Sequence, residues 1–161
     1  MQNPQSVISS LENAPKLIIP LVREIPEEYL RRRPKAGKWS AHEHACHLAE
    51  VHSLFFSRLE QMLSESNPRL RPYDPDRDMA SQDALLQMDL DQALNRFEND
   101  RNQLVDKLKR LSEADWQRTA DHPEYTRYSI FIMFRHLAFH DLLHAYRIEE
   151  LLFKRDWEPV V

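Results

Sequence analysis

The sequence predicts an all-α fold, a four-helix bundle, from three observations. Glycine occurs once, at Gly37, although average usage would give about eleven in a chain of this length. Because hairpins and sheet turns use glycine for positive φ, this scarcity favours helices joined by open loops. Apolar residues recur at helical spacing in four long stretches, and no stretch has the alternation of a β-strand. Connections of mixed length indicate an up-and-down bundle or a variant with a crossover.

The first helix is predicted over residues 5–24, where the apolar residues of one face are Val7, Leu11, Ala14, Ile18 and Leu21. Pro15 and Pro20 lie inside this stretch, and because proline has no backbone N–H to donate, we expect a break or kink there. A short helix is predicted to start at Pro26. Proline suits the first helical position, and the two glutamates that follow it favour the positive end of the helix dipole.

The second long helix is predicted over residues 41–64. Ser40 and Glu43 have the spacing of a capping box, in which each residue's side chain accepts a hydrogen bond from the backbone N–H of the other. The stripe along this helix consists of His44, His47, Leu48, Val51, Phe55, Leu59 and Met62. Residues 65–82 contain three prolines and many charges. They are predicted to form a long connection between the second and third bundle helices, a type of segment that is often functional.

The third and fourth long helices are predicted over residues 83–112 and 127–153. The stripe of the third helix consists of Leu90, Leu94, Phe97, Leu104, Leu108 and Leu111. The fourth helix presents on one face Ile130, Met133, Leu137, His140, His144, Ile148 and Leu151. We expect a single domain over residues 1–161, because a chain of this length buries one core.

Composition and charge exclude several classes of protein. The net charge of −4, from 26 acidic and 22 basic residues, gives no electrostatic reason to bind nucleic acid or an anionic membrane. The apolar runs are far shorter than the ~20 residues that cross a bilayer, and the first residues do not resemble a signal peptide. The single cysteine, Cys46, suits a reducing compartment. We therefore expect a cytoplasmic protein that acts on a small-molecule substrate, with no nucleic acid and no membrane as partner.

The eight histidines are clustered, with four between His42 and His52 and three between His136 and His144. His140 and His144 are four residues apart, so on a helix their imidazoles project from nearly the same face. That spacing lets both reach one ion at the ~2.0–2.1 Å of a zinc–imidazole bond. Two such histidines can also be ordinary residues of an amphipathic surface. Here they lie on the same helix face as apolar residues, so we expect them to be buried. The ring nitrogens of two buried imidazoles would be difficult to supply with hydrogen-bond partners without an ion, which favours a metal site.

A third ligand is expected from the second long helix, because metal sites in bundles take side chains from facing helices. His47 lies in the apolar stripe and is the candidate, whereas a lone histidine on an apolar face is otherwise a hydrogen-bonded core residue. His44 and His136 are the alternatives, which we expect to support a ligand or to face solvent. His136 lies about 80° around the helix from His144, so it cannot readily join His140 and His144 at one ion.

Other motifs are incomplete. His42-Glu43-His44-Ala45-Cys46 departs at its fifth position from the His-Glu-x-x-His of metalloproteases, and the paired Glu-x-x-His of di-iron bundles is absent. Cys46 points about 100° away from the neighbouring histidine and is expected to be a packed apolar side chain. Asp141 could orient His144, contact a metal-bound water or be solvated. Trp39 is expected to pack over the end of the bundle.

Several short motifs recur in one order along the chain. They are Gly37-Lys38-Trp39-Ser40, Glu43, His47-Leu48, His136-Leu137-Ala138-Phe139-His140 and His144. In this order and separation they resemble the DinB/YfiT-like superfamily, and the resemblance spans nearly the whole chain. It departs at Tyr125-Thr126, where the family usually has a glycine shortly before the fourth helix.

The resemblance implies a four-helix bundle with a long connection between its second and third helices, often as a homodimer. It implies one divalent metal ion, zinc or nickel, bound by histidines at the positions of His47, His140 and His144. As the activity it implies a metal-dependent transferase reaction with a low-molecular-weight thiol such as bacillithiol or mycothiol.

The residues themselves leave the function open. Three protein ligands leave a fourth coordination position free, which is typical of catalytic rather than structural zinc. An ion there could serve a hydrolase that uses a metal-bound water, or hold a thiol as thiolate. A non-catalytic, stress-associated metal protein would instead have a fourth ligand such as His44, and a metal-free helical interaction protein would bind no ion. We expect the metal-dependent transferase, with the hydrolase and the non-catalytic metal protein as alternatives.

Overall fold

The computed structural model describes residues 3–71 and 82–153 of the chain. The described residues form eight helices, with turns, loops and two isolated β-bridges between them. The prediction of an all-α fold is confirmed. Within the same residues, no helix is long and apolar enough to cross a bilayer.

The helix bounds largely follow side-chain caps. The helices are α1 (Pro4–Arg23), α2 (Glu27–Leu30), α3 (Ala41–Glu50), α4 (His52–Ser64), α5 (Gln82–Gln87), α6 (Leu90–Leu108), α7 (Glu113–Trp116) and α8 (Ile130–Leu152). The residues that accept a hydrogen bond from a first-turn backbone N–H are Asn3, Ser40, Asp89, Ser112 and Ser129. Such caps satisfy N–H groups that have no partner inside a helix.

The capping box predicted at the start of α3 is present. The N–H of Glu43 donates to Oγ of Ser40 at 3.3 Å, and the N–H of Ser40 donates to the Glu43 carboxylate at 2.9 Å. Arg33 also donates to both oxygens of this fully buried carboxylate, at 2.6–3.1 Å. These contacts anchor the first turn of α3 and so set the direction in which the later residues of the helix project.

Three details differ from the sequence predictions. The predicted helix 41–64 is divided into α3 and α4 at Val51, which keeps near-helical angles of φ −69° and ψ −17°. The predicted helix 83–112 is divided into α5 and α6, because the Asp89 side chain accepts a hydrogen bond from the N–H of Gln92 at 2.8 Å and starts a new helix. In contrast, α1 continues without the expected break through both of its internal prolines.

The long connection predicted over residues 65–82 is described only in part. Residues 65–71 follow α4, and the backbone of Leu70 donates to the carbonyl of Asp121 at 2.9 Å. Residues 72–81 lie outside the described residues.

The long helices pack in a crossover arrangement. α1 packs chiefly against α6 and α8, and the α3–α4 pair also packs chiefly against α6 and α8. α1 therefore lies across the bundle from the α3–α4 pair, and α6 lies across from α8, whereas the α3–α4 pair is next to α6. In a simple up-and-down bundle every two consecutive helices would lie side by side. Because α3 and α8 are neighbours, histidines from these two distant parts of the sequence can meet.

Within the described part of the chain, the interior consists of two apolar clusters with polar residues between them. One cluster includes Leu11, Met62, Leu104 and Phe134, and the other includes Ile18, Leu48, Phe97 and Ile148. On α6, Arg101 lies between the two clusters, and on α8 residues 140–144 do so. This polar layer in the middle of the bundle contains the candidate site.

Candidate metal centre

Three of the predicted site residues, His47 on α3 with His140 and His144 on α8, lie together in the structure. Each offers one ligand atom, and these atoms lie within 4.8 Å of one another. Nε2 of His140 lies 3.1 Å from Nε2 of His47 and 3.1 Å from Nε2 of His144. Two nitrogens bound to one tetrahedral zinc at ~2.05 Å would be about 3.3 Å apart, so the arrangement fits one ion.

Hydrogen bonding alone accounts poorly for this three-way contact. The nitrogen of His140 has either one proton or one lone pair to share between two neighbours. The outer nitrogens, Nδ1 of His47 and Nδ1 of His140, are buried and have no hydrogen-bond partner among the described residues. An ion between the three Nε2 atoms would use all three lone pairs, which makes the residues chemically suited to a metal.

Burial keeps the imidazoles in the neutral form that binds metal. His47 is 5% exposed and His144 is 7% exposed. Burial lowers the pKa of His47 to about 3, and burial also lowers the pKa of His144, with neighbouring histidines adding to both effects. Both imidazoles are therefore uncharged at pH 7, so a metal ion would not have to displace the extra proton of an imidazolium ion.

His44 lies outside the cluster of three histidines and contacts one of its members, His144. Its Nδ1 lies 2.8 Å from Nδ1 of His144, on the opposite side of that ring from Nε2. A hydrogen bond to the outer nitrogen of a metal-binding histidine fixes its tautomer and the orientation of its ring. His136, the other alternative, is also outside the cluster, and its ring centroid lies 5.2 Å from that of Tyr125.

Asp141 has a role that none of the three sequence alternatives described. It is 1% exposed and forms an ion pair with Arg101, which is also 1% exposed, at 3.0 Å. Its Oδ1 lies 3.8 Å from Nδ1 of His140, the residue before it, so the contact is with His140 and not with His144 as the sequence suggested. Arg101 was not among the site residues predicted from the sequence. Its spacing could have indicated that it is buried. Arg101 lies four residues after Phe97 and three before Leu104, so it is on the apolar face of α6.

Trp39 was expected to pack over the end of the bundle, and its ring lies against three histidines of the polar layer. Its ring centroid is 4.9 Å from that of His47, 5.3 Å from that of His44 and 5.9 Å from that of His144. An indole in this position lowers the local polarity and reduces the access of water to the imidazoles. Sequence analysis placed Trp39 correctly before the helix cap but did not connect it with the candidate site.

A pocket of about 610 Å³ has the three histidines in its wall. Its size is within the range of small-molecule sites. Apolar and aromatic residues form much of the lining, and these include Trp39, Val51, Phe55, Phe139 and Leu143. A larger cavity of about 810 Å³, beside residues 117–129, contains none of the three histidines. The smaller pocket is therefore the one relevant to the candidate metal centre.

Cys46 and His42, which were also considered from the sequence, are both buried in the packing around α3. Cys46 is fully buried in an apolar cluster, and burial raises the pKa of its thiol to about 12, so it is not a reactive thiolate. His42 is also fully buried, and its Nε2 lies 3.1 Å from the carbonyl oxygen of Leu85. Both residues belong to the packing of α3 against its neighbours.

The stability of the metal-free protein should fall as the solution becomes acidic. The pKa of His47 is lowered to about 3 and that of His44 to about 4, both chiefly by burial. Below about pH 6.5 the unfolded chain binds protons that the folded chain cannot, so the free energy of unfolding decreases. We expect the Tm of EDTA-treated protein to be about 5 °C or more lower at pH 5 than at pH 7.5. An equal decrease in a His44→Leu/His47→Leu variant would contradict this origin.

Comparison with known proteins identifies the family. A "Putative metal-dependent hydrolase" of Oceanobacillus iheyensis is 29% identical over 93% of this chain and 86% of that protein, and one of Bacillus cereus is 23% identical over the same shares. The solved structure of YfiT from Bacillus subtilis, described as a probable metal-dependent hydrolase with an unusual four-helix bundle topology, superposes with a TM-score of 0.81 at 21% identity. That superposition covers 94% of this chain and 86% of YfiT, which confirms the bundle fold. The family model of the DinB superfamily matches residues 10–148, so the chain belongs to this superfamily.

Proposed function

We propose that this chain is a metal-dependent hydrolase of small molecules, with one divalent ion held by His47, His140 and His144. The observation that carries the proposal is the convergence of three imidazoles in the wall of a small-molecule pocket. The names of the relatives, which refer to metal-dependent hydrolysis, support the type of reaction.

The surroundings of the histidines favour a catalytic site over a purely structural one. When bound by three histidines, a divalent ion keeps an open position, lowers the pKa of a water there towards ~7 and polarises a substrate carbonyl. Among the described residues, no further histidine, cysteine or carboxylate joins the three ligands. His44 contacts the outer nitrogen of His144 instead, which argues against the closed site of a non-catalytic protein.

Transfer of a low-molecular-weight thiol would use the same open position. No contact among the described residues distinguishes a thiol from a water, whereas the relatives' names favour water. Thiol transfer is therefore an alternative outcome of the experiment below. The identity of the ion as zinc or nickel, and the homodimer expected from the resemblance, stay predictions.

The test combines metal analysis with two activity assays. Protein purified without a nickel column would be analysed for metal, loaded with zinc, nickel, manganese or cobalt, and assayed with 4-nitrophenyl esters and anilides. We expect hydrolysis by at least one metal form and a loss of about a hundredfold or more in His144→Ala. His52→Ala is the control, because that ring stacks on Phe56 away from the three histidines. Conjugation of bacillithiol, mycothiol or glutathione without hydrolysis would instead indicate the transferase, and no activity with metal bound would contradict both enzymes.

A further inference from the structure

The pocket that contains the candidate metal centre is elongated. On the α3–α4 side, His47 and Arg58 both line it, and they are eleven residues apart, about 16 Å along a helix axis. On the α8 side, His136 lies about 6 Å along the axis from His140, and both line the same pocket. The two sides are antiparallel in this region, because His47 meets His140 whereas Arg58 lies near residues that precede α8. The pocket thus has the three histidines at one end and Arg58 at the other.

Arg58 is a buried cation without a counter-ion among the described residues. It is 8% exposed, and its Nη2 donates to the backbone carbonyl of Arg71 at 3.0 Å. None of the ion pairs formed within residues 3–71 and 82–153 includes Arg58. Glu124, the carboxylate in the described lining of this pocket, is exposed and makes no ion pair with it. A buried arginine normally has an anionic partner, so one that lines a pocket is suited to bind an anion from a ligand.

The groups beside Arg58 can donate hydrogen bonds without neutralising its charge. Burial lowers the pKa of His122, and the Arg58 guanidinium lowers it further. Burial raises the pKa of Tyr128, and the Arg58 charge opposes that rise. At pH 7 a neutral imidazole and a neutral phenol therefore lie next to the guanidinium, and neither of them compensates its charge. Glu124 is the acidic residue at this end, and it forms no ion pair with Arg58 among the described residues.

The wall between the two ends is largely apolar. On α3–α4 the lining residues between His47 and Arg58 are Val51, Leu54 and Phe55. On α8 the lining includes the apolar Phe139 and Leu143, with His136 as a polar residue nearer the Arg58 end. Apolar walls stabilise a ligand's hydrocarbon portion but offer no partner to a second charge. A ligand that satisfies the whole pocket is consequently polar at both ends and apolar in its middle.

We propose that Arg58 binds a carboxylate of the substrate, which is an elongated molecule with an apolar middle and its reactive group at the histidine end. A guanidinium presents paired N–H groups that match the two oxygens of a carboxylate. The position of the reactive group rests on the hydrolase function proposed above. The carboxylate site at Arg58 does not, because it lies at the opposite end of the pocket from the candidate metal centre.

The experiment measures binding of 4-phenylbutyrate and of its uncharged amide, 4-phenylbutyramide, by isothermal titration calorimetry. Both metal-loaded and EDTA-treated protein are used at pH 8, since a carboxylate could otherwise bind through the ion. Arg58→Gln removes the charge but keeps a donor for the carbonyl of Arg71. The matched control is Arg118→Gln, because Arg118 also donates to backbone carbonyls, of Met62 at 2.6 Å and Glu65 at 2.9 Å, and does not line this pocket.

We expect Arg58→Gln to weaken binding of the carboxylate by about tenfold or more in both protein forms, and to change binding of the amide by less than about twofold. Arg58→Lys should retain part of the affinity, and Arg118→Gln should retain all of it. Equal binding of carboxylate and amide by the unmodified protein, or an equal loss in the two glutamine variants, would overturn the proposal. Tighter Arg58-dependent binding of inorganic phosphate than of the carboxylate would overturn the assignment to carboxylates.

The result is separable from that of the hydrolase assay. Arg58-dependent binding of the carboxylate in EDTA-treated protein, together with no hydrolysis in any metal form, would contradict the hydrolase and leave the carboxylate site supported. Hydrolysis of neutral esters, together with no effect of Arg58→Gln on carboxylate binding, would support the hydrolase and contradict the carboxylate site.

Discussion

Substitution of His140 by alanine is expected to abolish stoichiometric metal binding. Its Nε2 is the central atom of the cluster, 3.1 Å from the Nε2 atoms of both His47 and His144. Removing it leaves two imidazoles, and two ligands cannot enclose an ion that prefers four. Loss of a hydrogen bond to a ligand already costs about 10–100-fold in affinity, so loss of the ligand itself should exceed that range. After dialysis, metal analysis should find about one ion per chain in the unmodified protein and near none in the variant.

Two histidines provide matched controls for this substitution. His136 lies one turn before His140 on α8 and lines the same pocket, but it is outside the cluster. His52 stacks on Phe56, with ring centroids 5.4 Å apart. Alanine at either control position should leave the metal content unchanged. Equal retention of metal by His140→Ala and His136→Ala would refute the assignment of the ligands.

Substitution of Asp141 by alanine is expected to lower the free energy of unfolding by about 3–5 kcal/mol. Asp141 and Arg101 are each 1% exposed, and their ion pair joins α6 to α8 across the interior. Without the carboxylate, the Arg101 guanidinium would stay buried with no counter-ion, and that desolvation cost is the source of the loss. Denaturant unfolding of EDTA-treated protein measures the effect apart from any change in metal binding.

An exposed ion pair gives the comparison for this second substitution. Arg23 and Asp91 are 2.9 Å apart, but their side chains are 55% and 72% exposed. Asp91→Ala should therefore change the free energy of unfolding by less than about 1 kcal/mol. Replacing both buried residues, as Arg101→Met/Asp141→Leu, should recover much of the lost stability, since an apolar pair leaves no buried charge. A loss in Asp141→Ala no larger than that in Asp91→Ala would contradict the argument.

The features that sequence analysis predicted correctly depend on residues close together in the chain. The capping box needs only Ser40 and Glu43, three residues apart, and it is present as predicted. The bounds of α1 and α8 differ from the predicted 5–24 and 127–153 by at most three residues. Each of these features depends on the spacing of nearby residues and on local hydrogen bonds, so it can be recognised without knowing any tertiary contact.

The two predicted helices that the structure divides show where the local sequence pattern was insufficient to predict helix bounds. The third long helix was predicted to start at residue 83 and to run through Asp89, although the residues of its apolar stripe begin only at Leu90. The carboxylate of Asp89 nevertheless accepts a hydrogen bond from the N–H of Gln92 and begins a helix there. An aspartate inside a helical pattern can be either a surface residue or a cap, and the competition between its two roles is decided by where the chain must turn.

For the candidate site, the sequence by itself determined the pairing of His140 with His144, because four residues on one helix place both imidazoles on one face. Tertiary structure decided everything that depends on neighbouring helices. The packing of α3 beside α8 brings His47 to that pair, places His44 on the outer nitrogen of His144, and leaves Arg58 at the far end of the same pocket. Helical periodicity states which face of a helix a side chain occupies, but it carries no information on which other helix that face meets.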